Sequence, residues 1–148
     1  LGRVGCFLNG CCFGRPWDAP LAVRYPAESE VMHVQQAKDL LDAGAAACLP
    51  VFPIQLLAAL LNLAIACVLL AADRRLPRWG QLFGLYLLLY GAGRFAVEFG
   101  RGDYLRSVGP FTPAQVICLF LAPAGAAILT LAARRGRPKP RTDTVEST

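Results

Sequence analysis

Tyr90, Arg94 and Glu98 are the residues whose types and spacing most directly suggest chemistry, and they lie in the apolar stretch "LLYGAGRFAVEFGR". A spacing of four places all three on one face of a helix, because that face drifts by only about 40° per step. An unpaired charge in so apolar a setting costs several kcal/mol. The pattern is compatible with a buried structural ion pair and with a functional site, where such ionisable residues usually occur.

A further charge lies in the glycine-rich stretch "GRVGCFLNGCCFG" (residues 2–14), where Arg3 is the one basic residue of an apolar run. The glycines of this run permit left-handed turns and expose backbone N–H groups. Arginine beside such backbone can bind a phosphate, and Asn9 adds an amide that can donate or accept. The alternative is a tightly packed re-entrant turn whose arginine extends to lipid headgroups. Spacing alone leaves both interpretations open.

Several uncharged polar residues also lie in or near the apolar stretches. Thr112 followed by Pro113 is typical of an N-cap and the first residue of a helix. Asn62 within an apolar stretch is typical of hydrogen bonding between membrane helices. Gln55 opens the same stretch, and the single histidine, His33, is expected on the surface.

The cysteines are expected to contribute little to the chemistry. Two of the six fall in apolar stretches, where a thiol behaves as a small hydrophobe. The remaining C-x₄-CC spacing, with one distant histidine, does not match paired zinc-ligand patterns, so we predict neither a metal nor a cofactor. A disulfide between the adjacent Cys11 and Cys12 would be strained, and Cys6 or Cys48 would be the better partner.

Composition indicates that a membrane protein must position these residues. Hydrophobic residues make up 55% of the 148 residues and charged residues 17%, against about 25% charged in ordinary soluble domains. Three apolar stretches have roughly the 20 residues that crossing a bilayer requires. Gly91 and Gly93 in the second stretch are explained if another helix or a ligand approaches closely there. The alternative is that they are ordinary packing positions between membrane helices. We predict an all-α membrane protein, a polytopic helical bundle with spans at residues 53–72, 81–99 and 111–133.

Basic residues predict the orientation of these spans. They crowd the connector between the first two spans and the tail at residues 134–148, whereas the connector before the third span holds only Arg101 and Arg106. The positive-inside rule therefore places the first connector and the C-terminal tail in the cytoplasm and residues 1–52 outside. The net charge of +5 reflects this bias, so nucleic acid is not an expected partner.

The segment before the first span has two parts. Residues 1–15 are expected to be a glycine-broken apolar segment, the end of a helix that begins upstream. Because the chain starts at Leu1 without an initiator Met, we expect it to be part of a longer protein. Residues 16–52 form an external arm in which "LAVRYP" alternates like a short strand. In the same arm "VMHVQQAKDLLDAG" has helical spacing closed by a glycine cap.

Taken together, these motifs resemble those of the prolipoprotein diacylglyceryl transferases, which are bacterial membrane enzymes. "GRVGCFLNGCCFG" is similar to the glycine-rich signature of that family, in a cysteine-containing variant. "LAVRYP" resembles the segment that follows it, and "FPIQLLAAL" a weakened form of the H-P-x-Q-L-Y-E element. "YGAGRFAVEFGRGD" resembles the Y-x-x-x-R-x-x-x-E helix, and "FTPAQVICL" the start of the last helix.

The resemblance implies a bundle of about seven helices in the bacterial inner membrane, of which this chain would be the C-terminal half. It implies transfer of diacylglyceryl from phosphatidylglycerol to the lipobox cysteine thiol of a prolipoprotein signal peptide, among membrane lipids. Arg94 would stabilise the departing phosphate, with Glu98 orienting it and Tyr90 hydrogen-bonding in the site. The isolated chain is expected to be inactive. The implied lipid-binding residues are Arg3, which would hold the phosphate, with Asn9, Gly10, Gly14 and Gln55.

The chain departs from the better-known family signature at four positions. Cys6 and Cys11 replace an asparagine and a glutamate, and Phe52 and Ala58 replace the histidine and glutamate of the H-P-x-Q-L-Y-E element. These departures keep open a second interpretation, a non-catalytic lipid-binding membrane protein on the same scaffold. A transporter or channel would need polar residues along all the helices, whereas the charges here cluster on the outer side.

Overall fold

A computed structural model of the chain describes residues 2–42, 44–103, 111–135 and 137–138. Within these residues the regular secondary structure is helical. The β pairing consists of isolated bridges and does not extend into strands, so the expected all-α class is confirmed for these residues. Most of the expected tail and of the connector before the last helix lie outside the described residues. The helices are α1 (Gly2–Asn9), α2 (Glu30–Ala37), α3 (Ile54–Asp73), α4 (Gln81–Glu98) and α5 (Pro113–Arg135).

Helices α3 and α5 are each long and apolar enough to cross a membrane. Only 22% of the most apolar window of α3 and 11% of that of α5 is buried, whereas the core helix of a soluble protein would be mostly buried. This exposed apolar surface fits a membrane protein. Helix α4 does not meet the same criterion, because its 18 residues include Gln81, Arg94 and Glu98. Its crossing of the membrane stays a prediction.

Helices α4 and α5 pack along small residues. A Cβ on Gly84 would lie 2.5 Å from the backbone nitrogen of Leu129, and one on Gly91 would lie 2.9 Å from that of Ala122. Real Cβ atoms do not approach backbone this closely, so the two helices meet at a distance that only glycine permits. The close helix approach expected at Gly91 is therefore confirmed.

The arm forms a small apolar core together with Phe13. Gln35 of α2 stabilises it from inside, since its side chain accepts a hydrogen bond from the Leu49 N–H at 2.8 Å and donates one to the Leu49 carbonyl at 3.1 Å. His33, on the same helix, is exposed, as expected. The buried residues of this core are Phe13, Val31, Met32, Val34, Cys48 and Val51.

The strand expected for "LAVRYP" is wrong. Val23 and Val51 exchange two hydrogen bonds of 3.0 Å each, and the pairing stops there as an isolated bridge. The next pairing position on one side is Pro53, which has no N–H. On the other side it is Leu49, whose N–H and carbonyl are both bonded to Gln35.

The end expected for the arm helix is also wrong. Helix α2 ends at Ala37 instead of continuing towards Gly44. Asp39 adopts a left-handed φ of 55°, and the Leu40 N–H bonds to the Gln35 carbonyl at 2.9 Å. These two features form a Schellman motif, which terminates a helix whether or not its left-handed residue is glycine.

The long helices have two chemically different ends. At one end the arm meets the turn after α4, where the Arg15 N–H donates to the Gly100 carbonyl at 3.0 Å. At the opposite end the loop between α3 and α4 meets the segment after α5, where the Trp79 N–H donates to the Arg137 carbonyl at 3.0 Å. The two arginine-rich segments therefore share one end, and the arm lies at the other.

Candidate functional site

Glu98 is a buried carboxylate at the arm end of α4, with 3% of its surface exposed. Its Oε2 lies 2.6 Å from Nη1 of Arg94, one helical turn earlier. Its Oε1 accepts a hydrogen bond of 3.0 Å from the Thr112 hydroxyl. A buried carboxylate without such partners would cost several kcal/mol, so these contacts explain how it is tolerated. The predicted pairing of Arg94 with Glu98 is confirmed.

Thr112 caps the start of α5 and also donates a hydrogen bond to the Glu98 carboxylate. Its hydroxyl accepts a hydrogen bond from the Gln115 N–H at 3.2 Å, and its own N–H donates to Oε1 of Gln115 at 3.0 Å. This reciprocal arrangement is a capping box, and the predicted N-cap is confirmed. Because the same hydroxyl donates to Glu98, it also joins the start of α5 to the charged end of α4. Sequence reasoning missed this contact, since no local spacing relates residues 98 and 112.

A second arginine, which sequence reasoning also missed, lies beyond the end of α4. Nη1 of Arg101 is 3.8 Å from Oε2 of Glu98. Its Nε donates to Oδ1 of Asp103 at 2.9 Å, as one half of a two-point pair with that carboxylate. The available signal was the position of Arg101, three residues after Glu98 in a glycine-flanked turn.

A narrow cavity brings Arg3 of α1 next to Tyr90 and Arg94 of α4. Its volume is only about 20 Å³, far below the roughly 300–1,000 Å³ of pockets that hold drug-sized ligands. A cavity of this size has room for about one water molecule, so a phosphate group could enter only if the lining residues moved apart. Apolar walls strengthen electrostatic interactions within it. The other lining residues are Ala58, Leu61, Asn62, Ile65 and Val97.

Asn62 on α3 is the polar member of this lining that the sequence did not assign to a site. It lines the cavity of Arg3 and Arg94, and also an adjoining pocket that contains Arg3 and Cys6. The expectation of an interhelical hydrogen bond considered only helix packing. It overlooked that α1 covers this part of α3 and brings its arginine there.

The other residues implied by the glycine-rich signature do not line the cavity. Asn9 is exposed at the end of α1. Gly10 has a left-handed φ of 70°, and a Cβ there would lie 2.9 Å from Cδ1 of Tyr25. A Cβ on Gly14 would lie 2.5 Å from the Phe52 carbonyl oxygen. Both glycines are thus required by backbone conformation or close packing at the junction between α1 and the arm.

Gln55, also implied as a lipid-binding residue, is 1% exposed at the start of α3. Its Nε2 donates to the Cys11 carbonyl at 2.9 Å and contacts the Tyr25 hydroxyl at 3.5 Å. That hydroxyl donates to the Phe7 carbonyl at 2.9 Å. Burial raises the pKa of Tyr25 above its usual value, although the hydrogen bond from Gln55 acts in the opposite direction. Tyr25 therefore stays protonated and keeps this donor role.

The fold and the site together define a class of protein. Its described residues form a helical protein of membrane type, in which a cavity with two arginines lies beside a buried carboxylate. The sequence profile of the family described as prolipoprotein diacylglyceryl transferase matches residues 1–131. The chain therefore belongs to the prolipoprotein diacylglyceryl transferase family.

Curated relatives carry the same description. The chain is 32% identical over 123 residues to the phosphatidylglycerol–prolipoprotein diacylglyceryl transferase of Clostridium tetani, covering 81% of this chain and 43% of the relative. It is 30% identical over 137 residues to transferase 2 of Clostridium perfringens, covering 93% and 48%. It is 33% identical over 139 residues to the Methylococcus capsulatus transferase, covering 90% and 46%. The chain thus spans a little under half the length of these relatives.

Proposed function

We propose that the protein to which this chain belongs transfers diacylglyceryl from phosphatidylglycerol to the lipobox cysteine thiol of prolipoproteins. The observation that carries this proposal is the convergence of Arg3 and Arg94 on one cavity, in a chain whose relatives are described as carrying out this transfer. The chain spans a little under half of those relatives, so the proposal concerns the whole protein.

The proposed reaction requires positive charge beside the phosphate that leaves. The substrate thiol loses its proton and attacks a glycerol carbon, so that a C–S bond forms while the C–O bond to the phosphate breaks. Glycerol phosphate leaves with the bonding electron pair. Preorganised cations that face the departing phosphate lower the barrier to such a step. Arg3 holds the lipid phosphate, and Arg94 stabilises the charge that develops on it as it leaves.

Neighbouring residues support these two arginines. Glu98 forms an ion pair with Arg94 and fixes its orientation, and Tyr90 lines the same cavity. Gln55 does not line the cavity; its Nε2 donates to the Cys11 carbonyl and so helps to hold the turn that positions α1. Asn9, Gly10 and Gly14 act by shaping the junction that holds α1 in position. The acyl chains of the lipid remain outside the cavity, in the membrane.

We further propose a bacterial inner-membrane location with α3, α4 and α5 all crossing the bilayer, as part of a larger helical bundle. The loop between α3 and α4 and the C-terminus lie in the cytoplasm, and the arm lies outside. The shared end of the two arginine-rich segments supports this orientation. The cavity then opens towards the external half of the membrane, where an exported signal peptide and phosphatidylglycerol are both present.

One observation favours a second function, lipid binding without catalysis. Ala58 lines the cavity at the position where the better-known element of the family carries a glutamate, so the described part of the cavity lacks that carboxylate. A protein without the residues for thiol deprotonation would still bind a phospholipid headgroup through Arg3 and Arg94.

Complementation of a transferase-depleted bacterium with the complete gene tests the proposal. Lipidation of a reporter prolipoprotein is followed for the wild type, Arg3→Ala, Arg94→Ala and the matched control Arg75→Ala. Arg75 is exposed in the loop between α3 and α4 and does not line the cavity. We expect the wild type and the control to lipidate the reporter and the two cavity variants to fail. A wild type that binds phosphatidylglycerol but never lipidates would favour the second function, and full activity of both cavity variants would refute the site.

A further inference from the structure

Three cysteine thiols converge where α1 ends, and the proposed transfer does not use them. The Sγ atoms of Cys6, Cys11 and Cys12 all lie within 4.8 Å of one another, and the three side chains are partly buried. All six cysteines of the chain are free thiols in this structure. Cys48, one of the two disulfide partners expected from the sequence, is instead buried in the arm, where its Sγ donates to the Tyr25 carbonyl.

The backbone at the end of α1 explains why a C-x₄-CC spacing brings three thiols together. Gly10 adopts a left-handed φ of 70°, and the Cys11 N–H returns to the Cys6 carbonyl at 3.1 Å. This Schellman motif folds the chain back over the last helical turn. Cys12 has a φ of 58°, a region that costs a non-glycine residue about 1–2 kcal/mol. The fold therefore maintains a strained cysteine conformation beside two other thiols.

The surrounding structure holds this turn from two sides. Gln55 of α3, which is 1% exposed, donates to the Cys11 carbonyl at 2.9 Å. Tyr25 of the arm donates to the Phe7 carbonyl in the last turn of α1. Ligands on a backbone that is fixed in advance bind an ion without a large ordering cost.

The chemistry of the three side chains selects a thiophilic ion. Tetrahedral zinc with Zn–S bonds of about 2.3 Å requires sulfur atoms roughly 3.8 Å apart. The three Sγ atoms lie within 4.8 Å of one another, so each S–S distance needs to shorten by about 1 Å at most. A disulfide would use only two of the sulfurs. Three thiolates and one Zn²⁺ carry a net charge of −1, and Arg3, which lines a pocket together with Cys6, supplies a nearby positive charge.

We propose that Cys6, Cys11 and Cys12 bind a thiophilic divalent ion, Zn²⁺ in the first instance, through three thiolates. Among the described residues no other histidine, cysteine, aspartate or glutamate joins the cluster. The fourth tetrahedral position is therefore taken by an exogenous ligand, as in zinc sites that keep an open position. This site goes beyond the proposed transfer and does not depend on it. It also departs from the sequence expectation of no metal, which considered only linear spacing.

Metal content and affinity test the site directly. The full-length protein is purified in detergent with a phosphine reductant, and bound zinc is measured by elemental mass spectrometry and by competition with a chromogenic chelator. We expect about one zinc per chain. Cys6→Ser, Cys11→Ser and Cys12→Ser should each weaken binding by more than the roughly 10–100-fold that loss of an outer-shell partner costs. The matched control Cys67→Ser, on the exposed surface of α3, should bind zinc like the wild type.

Cobalt substitution provides a readout that does not require the variants to fold. The wild type loaded with Co²⁺ should show thiolate-to-cobalt charge-transfer absorption, and a small thiol added to it should shift this spectrum by entering the fourth position. Absence of zinc from the fully reduced wild type would overturn the site, as would a Cys67→Ser variant as weak as the other three. Zinc that mild chelation removes equally from wild type and Cys6→Ser would mean an adventitious ion only. A spectrum that added thiol does not change would overturn the open position.

Discussion

At the scale of single residues, the balance of charge around Glu98 determines what the cavity can hold. Arg94 and Arg101 both lie close to Glu98, and Arg101 also pairs with Asp103. These two cations and two carboxylates compensate each other, whereas Arg3 brings a further positive charge to the cavity from another helix. Among these five side chains alone, positive charges exceed negative ones by one, which matches the single negative charge of a phosphodiester. Under the proposed function, the lipid phosphate would complete this charge balance.

The first prediction concerns the carboxylate itself. Glu98→Gln preserves shape and removes the negative charge, so Arg94 is left without its compensating partner in a nearly closed site. Breaking a buried pair from one side costs about 3–5 kcal/mol. We expect a clear loss of stability in detergent, measured by thermal unfolding, and a drop in lipidation of at least about tenfold. The control is Glu28→Gln, at an exposed carboxylate of the arm, and a Glu98→Gln variant equal to it in both measurements would contradict the prediction.

The sequence predicts some residues of this site, and a physical reason explains why it does not predict the others. Tyr90, Arg94 and Glu98 were predictable because helical spacing of four places them on one face. Arg101 and Thr112 were missed as partners of Glu98, since one lies beyond a helix end and the other on a different helix. Contacts across a helix end or between helices depend on tertiary packing, which single-sequence periodicity does not contain.

At the scale of elements, the N-terminus of α5 is joined to α4 through one hydroxyl. Thr112→Val keeps the shape of the side chain but removes both the acceptor for the Gln115 N–H and the donor to Glu98. We expect a cost of about 1–2 kcal/mol in unfolding free energy, measured by denaturant titration in mixed micelles. Thr112→Ser retains the hydroxyl and should recover most of the loss. Equal destabilisation by the serine and valine variants would show that the methyl group, and not the hydroxyl, matters.

The contact between α4 and α5 gives a second prediction at this scale. Alanine at Gly84 would place its Cβ 2.5 Å from the backbone of Leu129, and backbone cannot move aside as a flexible side chain can. Gly84→Ala should therefore separate the two helices and lower the thermal midpoint, despite the higher helix propensity of alanine. Gly5→Ala is the matched control, because nothing lies within 4 Å of a Cβ there. A Gly84→Ala protein at least as stable as Gly5→Ala would argue against this close packing.

The glycine-rich signature shows how far element-level prediction extends. Its glycines indicated tight turns, and Gly10 does end α1 with a left-handed conformation. The sequence did not reveal that this turn folds Cys11 and Cys12 back towards Cys6, because that depends on where the helix ends. A glycine placed immediately before the cysteine pair and four residues after Cys6 was the available signal. A comparison of the cysteine spacing with known zinc motifs does not detect this signal.

At the scale of the whole molecule, the distribution of charge and of the arm makes the two ends unequal. One end carries the arginines of the loop between α3 and α4 and of the segment after α5, which meet through the Trp79–Arg137 hydrogen bond. The other end carries the arm, Glu98 and the turn that follows it. The two arginine-rich segments are separated along the chain by two helices, so their meeting at one end requires that α4 and α5 run in opposite directions.

This arrangement leads to a prediction of topology that tests each long helix separately. Protease-cleavage sites are inserted into the full-length protein at the exposed arm turn near Glu28, in the loop near Arg75, and after residue 148. In spheroplasts we expect cleavage only in the arm, and in inverted vesicles only in the loop and at the C-terminus. Cleavage of the arm and the loop from the same side would mean that α3 does not cross. Loop and C-terminus on opposite sides would mean that only one of α4 and α5 crosses, and α4, with its two charges, would be the helix in question.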